Sequence, residues 1–259
     1  MNKVIFFDID GTLIVGGSNP GFASIAKVIS KFKKQGIIFG INTNRPWVET
    51  RNVYKKLKLN GPIILENGAV YKLSYKDLEI LINLKAKDLN KKIIEFLNKT
   101  LPNYLPGITV LVSNNKSSLR QKGLLALISK NRNYTSSIYM RNRGRVSKND
   151  LNVVMNLLKE KFPQSKKYIF KKIPEMGKIV ASNDFYDRIK TMNYVRNRYF
   201  SPCELFFISD EERIGFEKNI FFCAVKNAAK KYKEKCLFVA NDDGLRGIKE
   251  LLKRIINQP

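Results

Sequence analysis

The sequence predicts an α/β fold: a parallel sheet with helices packed on it, interrupted by a smaller α+β unit. Three observations predict it. Short apolar runs recur at residues 4–7, 37–41 and 63–65, and a strand buried on both faces needs such a run. Between them, apolar residues fall at helical spacing, as at Ile25, Val28, Ile29 and Phe32. The texture changes near residue 84, and the strand–helix alternation resumes after about residue 180.

Each element follows in order. Residues 4–7 form the first strand, and 22–34 a helix that Gly36 ends. Residues 37–41, 48–57 and 63–65 are then strand, helix and strand, and "ENGAVYKL" (66–73) is a turn into a hairpin. Strand–helix–strand units with short loops imply right-handed crossovers, hence a Rossmann-like parallel sheet. Ligands of such sheets sit at the carboxyl ends of the strands, where Asp8, Thr43, Glu66 and Asn67 fall. From 84 to 180, helices at 89–97 and 151–162 and strands at 108–112 and 168–173 lie in a lysine-rich stretch broken by Pro and Gly. This reads as an inserted smaller domain, with 1–83 and 181–259 forming the core domain. The core resumes with a helix at 189–199 and strands at 204–208, 221–225 and 236–239. It closes with a helix at 245–256.

Composition removes several chemistries. Histidine is absent, so Ser-His-Asp hydrolysis and His-ligated zinc are excluded. Catalysis must rest on carboxylates, hydroxyls, lysine, arginine or a hard metal. The three cysteines, Cys203, Cys223 and Cys236, show no metal spacing and suit core thiols in a reducing cytoplasm. No apolar run reaches membrane-spanning length, and the N-terminus does not read as a signal peptide, so no membrane partner is expected. The net charge is +26, from 48 Lys+Arg against 22 Asp+Glu, with basic residues in every segment. The first reading is a solvated lysine-rich surface. The second is a nucleic-acid partner, with the Arg/Tyr-bearing stretch "SKNRNYTSSIYMRNRGR" (129–145) as its contact.

The stretch that carries chemistry is "KVIFFDIDGTLIV" (3–15). A carboxylate at a strand end can attack phosphorus or carbon, and a second one two residues on can serve as acid and then base. Toward an anionic phosphoryl group, both need a divalent cation to mask charge. Gly11 permits the tight turn, and Thr12 can support the loop.

"FFDIDGTL" resembles the first motif of the haloacid dehalogenase-like hydrolases, and the resemblance continues in order. "INTNRP" (41–46) is similar to the second motif, and "IILENGAVYKL" (63–73) to the "ENGA" segment of the Cof-like branch. That branch includes sugar phosphate phosphatases. "CAVKNAAKKYKEKCLFVANDDGLRGIKELL" (223–252) is similar to its C-terminal segment. The resemblance implies Asp8 as nucleophile and metal ligand. Asp10 becomes the acid/base, with its carbonyl on the metal, and Thr43 the phosphoryl donor. Thr12, Asn44, Arg45, Glu66, Asn67 and Gly68 become substrate contacts, and Asn227 lies near the metal loop. The third motif departs: Arg188-Ile189 stands where Lys-Gly is usual, so either Arg188 or Lys190 is its cation. The fourth departs too: in "FFISDEERIGFEKN", Asp210 remains, with Glu211 as a partial replacement ligand. The expected activity is Mg²⁺-dependent hydrolysis of a small phosphorylated sugar or sugar acid, with the inserted cap choosing the substrate. The alternative is a catalytically weakened relative that binds a phosphorylated ligand or nucleic acid. Oligomeric state is not legible.

Overall fold

The computed structural model describes residues 2–16, 21–82, 88–162, 168–183, 187–210 and 216–258. The chain divides into two compact units: Met1–Ile82 with Asp187–Pro259, and Asn83–Tyr186.

The first unit is built on β1 (Asn2–Phe7), whose Val4 to Phe7 are buried on both faces, so the run needs no polar alternation. α1 (Ala23–Lys33) buries Ile25, Ala26 and Ile29, and its last turn carries Lys31 and Lys33, favourable at the negative end of the helix dipole. β2 (Ile38–Asn42), α2 (Trp47–Leu57) and β3 (Ile63–Leu65) follow. A 3-10 turn, Glu66–Gly68, then reverses the chain into β4 (Val70–Lys72) and β5 (Ile80–Leu81), which run antiparallel as the hairpin reading expects.

In the second unit, α3 (Leu89–Tyr104) continues past its expected end at residue 97 because Leu97 and Leu101 extend the same buried stripe. The sheet here contains β6 (Thr109–Val112), β7 (Leu124–Ile128), β8 (Ser136–Asn142), β9 (Arg145–Val146), β10 (Tyr168–Ile173) and β11 (Lys178–Asn183). α4 (Lys148–Lys161) packs with α3 on one face, where Ile93, Leu97, Val154 and Leu158 meet Ile138 and Met140. The strand order is β10-β11-β8-β7-β6, with β9 on β8. Sequence reading missed β7, β8 and β11. The Arg/Tyr stretch that read as a contact surface divides: Arg132, Tyr134 and Tyr139 are buried, with Arg132 donating to Thr135 Oγ1 at 2.9 Å, whereas Arg141 is half-buried and Arg143 and Arg145 are exposed. Residues 181–183 pair within this sheet, so it extends beyond residue 180.

The first unit resumes with α5 (Arg188–Tyr199), β12 (Cys203–Ser209), β13 (Phe221–Ala224), α6 (Lys230–Lys233), β14 (Phe238–Val239) and α7 (Gly244–Ile256). Among the described residues its sheet has the order β14-β13-β12-β1-β2-β3-β4-β5, parallel from β14 to β3. Chain order therefore reverses direction at β1: β2 and β3 lie on one side and β12 to β14 on the other. The crevice at such a switch point is where these sheets bind ligands. Cys223 is buried, and Cys203 and Cys236 are half-buried. No described helix is long and apolar enough to cross a membrane.

Candidate active site

Asp8 is the first residue beyond β1, and Asp210 the first beyond β12. The two strands are adjacent and in register, Phe7 opposite Ile208, and the Asp8 amide donates to the Ile208 carbonyl at 2.9 Å. Two carboxylates thus stand at neighbouring strand ends beside the switch point.

The loop between them is tight. Gly11 has φ +78°, a conformation that suits glycine, and the Ile14 amide donates back to the Ile9 carbonyl at 2.9 Å. A Cβ at Gly11 would lie 1.9 Å from Asp210 Oδ2, so only glycine admits the Asp210 side chain here. Thr12 was expected to touch substrate. It is buried, and its hydroxyl donates to Asp210 Oδ1 at 3.0 Å, so it buttresses Asp210. Asn227 Nδ2 donates to the Gly11 carbonyl at 2.7 Å, which ties the same loop down from the β13 side.

Of the two candidates for the third-motif cation, the structure brings Arg188 to Asp8. Arg188 opens α5, where Asp187 caps the helix by accepting from the Ile189 and Lys190 amides. Its Nη2 lies 2.8 Å from Asp8 Oδ1, with both side chains buried. Lys190 is exposed on the outer side of the same helix. Asn42, which sequence reasoning passed over, holds Arg188 in place. Its Oδ1 accepts from Arg188 Nε at 3.0 Å, its carbonyl accepts from Nη2, and its Nδ2 donates to the Arg188 carbonyl at 3.2 Å. The Phe207 ring lies 5.5 Å from the guanidinium carbon. The available signal was a polar Asn inside an otherwise apolar strand, immediately before Thr43.

Thr43 is the first residue beyond β2 and is buried, and its hydroxyl accepts the Arg45 amide at 3.2 Å. Asn44, next to it, is half-buried. Arg45 grips the other carboxylate of the first motif: Nε donates to Asp10 Oδ2 at 2.9 Å and Nη2 to Oδ1 at 2.5 Å. Such a fork is the strong form of an Arg–carboxylate contact. Burial by itself would lower the Arg45 pKa, but the bond to Asp10 and the negative field of Asp10, Glu49 and Asp8 raise it. Arg45 therefore keeps its charge throughout the accessible pH range.

Glu66, Asn67 and Gly68, also expected among the substrate contacts, form a turn with positive φ at all three positions (46°, 61° and 89°). Glu66 and Gly68 are buried. The turn is pressed onto the start of α5: a Cβ at Gly68 would lie 2.6 Å from the Asp187 carbonyl oxygen, and the Gly68 carbonyl accepts the Thr191 hydroxyl at 2.8 Å. This segment positions the helix that carries Arg188.

Among the described residues, no three His, Cys, Asp or Glu side chains converge as a ready metal cage. Glu211, expected as a ligand, lies outside the described residues. The donor set still fits a hard cation. Asp8 and Asp210 offer carboxylate oxygens from adjacent strand ends and the loop offers carbonyls, while Mg²⁺ needs few direct carboxylates and keeps waters. The Asp10 carboxylate is engaged with Arg45, so its expected contribution to a metal is limited to its carbonyl.

A parallel α/β unit with paired carboxylates at its switch point defines a class of hydrolytic scaffold, and comparison with known proteins agrees. The family model for haloacid dehalogenase-like hydrolases matches residues 5–197. The chain belongs to that family. A curated Metamycoplasma hominis protein named "Putative phosphatase in upp 3'region" is 34% identical over 101 residues, a match spanning 34% of this chain and 36% of that protein's length. A haloacid dehalogenase-like hydrolase from Bacteroides thetaiotaomicron superposes with a TM-score of 0.71 at 15% identity, over 98% of this chain and 100% of that one. A Plasmodium vivax protein described as a "putative HAD/COF-like hydrolase" gives a TM-score of 0.66 at 17% identity, over 99% of this chain and 96% of that one. These likenesses establish a shared fold.

Proposed function

We propose that the protein is a Mg²⁺-dependent phosphatase that acts on a small phosphorylated sugar or sugar acid through Asp8. The observation that carries this reading is the buried Asp8 carboxylate held 2.8 Å from Arg188 at the switch point of the sheet. In the first step, an Asp8 oxygen attacks phosphorus, the bond to the leaving oxygen breaks, and Asp10 supplies that oxygen with a proton. In the second, Asp10 takes a proton from water, which attacks the aspartyl phosphate and returns Asp8 and inorganic phosphate. Arg188 supplies fixed positive charge beside the reacting group, and Thr43 a donor at the next strand end. Mg²⁺ held by Asp8 and Asp210 would mask the charge of the phosphoryl group.

Arg45 bears on the order of events. Asp10 can act as acid only after it leaves the Arg45 fork and takes up a proton. An incoming phosphate competes for that guanidinium, so substrate binding frees the carboxylate.

The inserted unit is proposed to choose the substrate. The test is phosphate release from para-nitrophenyl phosphate with Mg²⁺, followed by a panel of phosphorylated metabolites. Turnover that disappears in Asp8→Asn supports the proposal. A folded wild-type protein that releases no phosphate and is not raised in melting temperature by Mg²⁺ with beryllofluoride sinks it. That result would favour a ligand-binding relative without turnover.

A further inference from the structure

The first unit carries a second feature, which its hydrolytic site does not use. α1 and α2 enclose a groove of about 910 Å³. Phe22 and Ala26, both buried, form part of its floor. Its rim carries Lys27, Lys31 and Lys34 from the α1 side and Lys56 and Lys58 from the α2 side, all exposed. No Asp or Glu lines it, and α1 contains no acidic residue at all. None of the five lysines makes an ion pair among the described residues.

The two sides are tied together. Lys33 Nζ donates to the Lys58 carbonyl at 2.7 Å, and Lys58 caps α2 in the left-handed conformation, φ +55°. Lys27, Lys31 and Lys34 follow i, i+4, i+7 spacing and so share one face of α1, where like charges repel. Beyond what the negative end of the α1 dipole gives its last turn, no carboxylate in the groove offsets that repulsion, and an external anion would supply the counter-charge. The row spans about 10 Å at 1.5 Å per residue, which matches about three charges on one strand of a duplex. The groove offers no exposed ring on which an unpaired base could stack, since Phe22 is buried, so its chemistry reads phosphates and not bases. Both lysine rows run toward the C-terminal ends of their helices. In this fold those ends return to the amino ends of the strands, away from Asp8.

We propose that this groove binds the sugar–phosphate backbone of duplex nucleic acid, without sequence preference and independently of the Asp8 site. The probes are fluorescein-labelled 20-bp duplex DNA and duplex RNA, titrated by anisotropy between 50 and 200 mM salt. Three full-length proteins are compared: wild type, a groove variant (Lys27→Glu, Lys31→Glu, Lys56→Glu), and a control with the same charge change elsewhere (Lys92→Glu, Lys99→Glu, Lys159→Glu). The groove variant should lose at least about tenfold more affinity than the control. Its log–log salt slope should fall by about 3, one for each phosphate contact removed. A Lys→Gln version of the groove variant, checked for an unchanged melting temperature, guards against misfolding. Equal losses in groove and control variants would show diffuse attraction to a +26 surface and overturn the proposal. So would tighter binding of a single-stranded 20-mer than of either duplex, or no wild-type binding at 50 mM salt.

Discussion

Arg188 and Asp8 are 180 residues apart in sequence and form a buried ion pair at 2.8 Å, with Asn42 holding the guanidinium from the adjacent strand end. A buried carboxylate left without its partner is costly. Arg188→Ala should therefore lower stability by about 3–5 kcal/mol, read from the urea midpoint, and abolish phosphate release. Arg188→Lys keeps the charge but loses the fork to Asn42, so both losses should be smaller. Equal effects of the two substitutions would contradict the positioning geometry.

Asn42→Ala should act on the same unit without touching the proposed chemistry. It leaves Arg188 Nε without its acceptor, at about 1–3 kcal/mol. Measured together with Arg188→Ala, the two losses should be clearly less than additive, because both disrupt one network.

Gly11→Ala places a methyl group into Asp210 in a backbone conformation with φ +78°. The loop must shift, at about 1–3 kcal/mol, and phosphate release should fall more than tenfold with it. Gly16→Ala is the matched comparison: its φ of +66° carries similar backbone strain, but nothing lies within 4 Å. Its activity should be near wild type.

The proposed Mg²⁺ dependence would separate Asp210 from Asp8. EDTA should stop turnover, and added Mg²⁺ should restore it. Asp210→Asn should raise the Mg²⁺ concentration needed for half-maximal turnover by about tenfold or more while retaining activity at saturation. Asp8→Asn should be inactive at every concentration.

Burial pushes all three cysteine thiols up, Cys236 to about 12 from an ordinary value of 9.0. Folded protein should therefore react slowly with a thiol reagent at pH 8, and urea-unfolded protein quickly. A raised thiol pKa means that the unfolded chain loses its protons first as pH climbs. The contribution to stability is fully present below about pH 9 and is lost between there and about pH 12. The burial-raised Tyr54, also to about 12, acts in the same direction. A urea midpoint at pH 10.5 no lower than at pH 8 would contradict this.

The sequence by itself determined the strand–helix alternation, the strand ends that hold Asp8, Thr43 and Asp210, and the absence of imidazole chemistry. Those features are local: an apolar run, a helical period or a turn residue announces itself within a dozen positions. The strand at 124–128 stayed hidden because LLALI is a continuous apolar run without a period, and the one at 136–142 because Ser136, Ser137 and Tyr139 are buried beside Ile138 and Met140, so alternation no longer marks a face. Only the tertiary structure decided that Arg188, and not Lys190, reaches Asp8. It also decided that Asn42 orients that arginine, that Thr12 is committed to Asp210, and that the "ENG" turn clamps α5. Each of these depends on a pairing across 100 residues or more, and the register of adjacent parallel strands sets such pairings where no short stretch of sequence can.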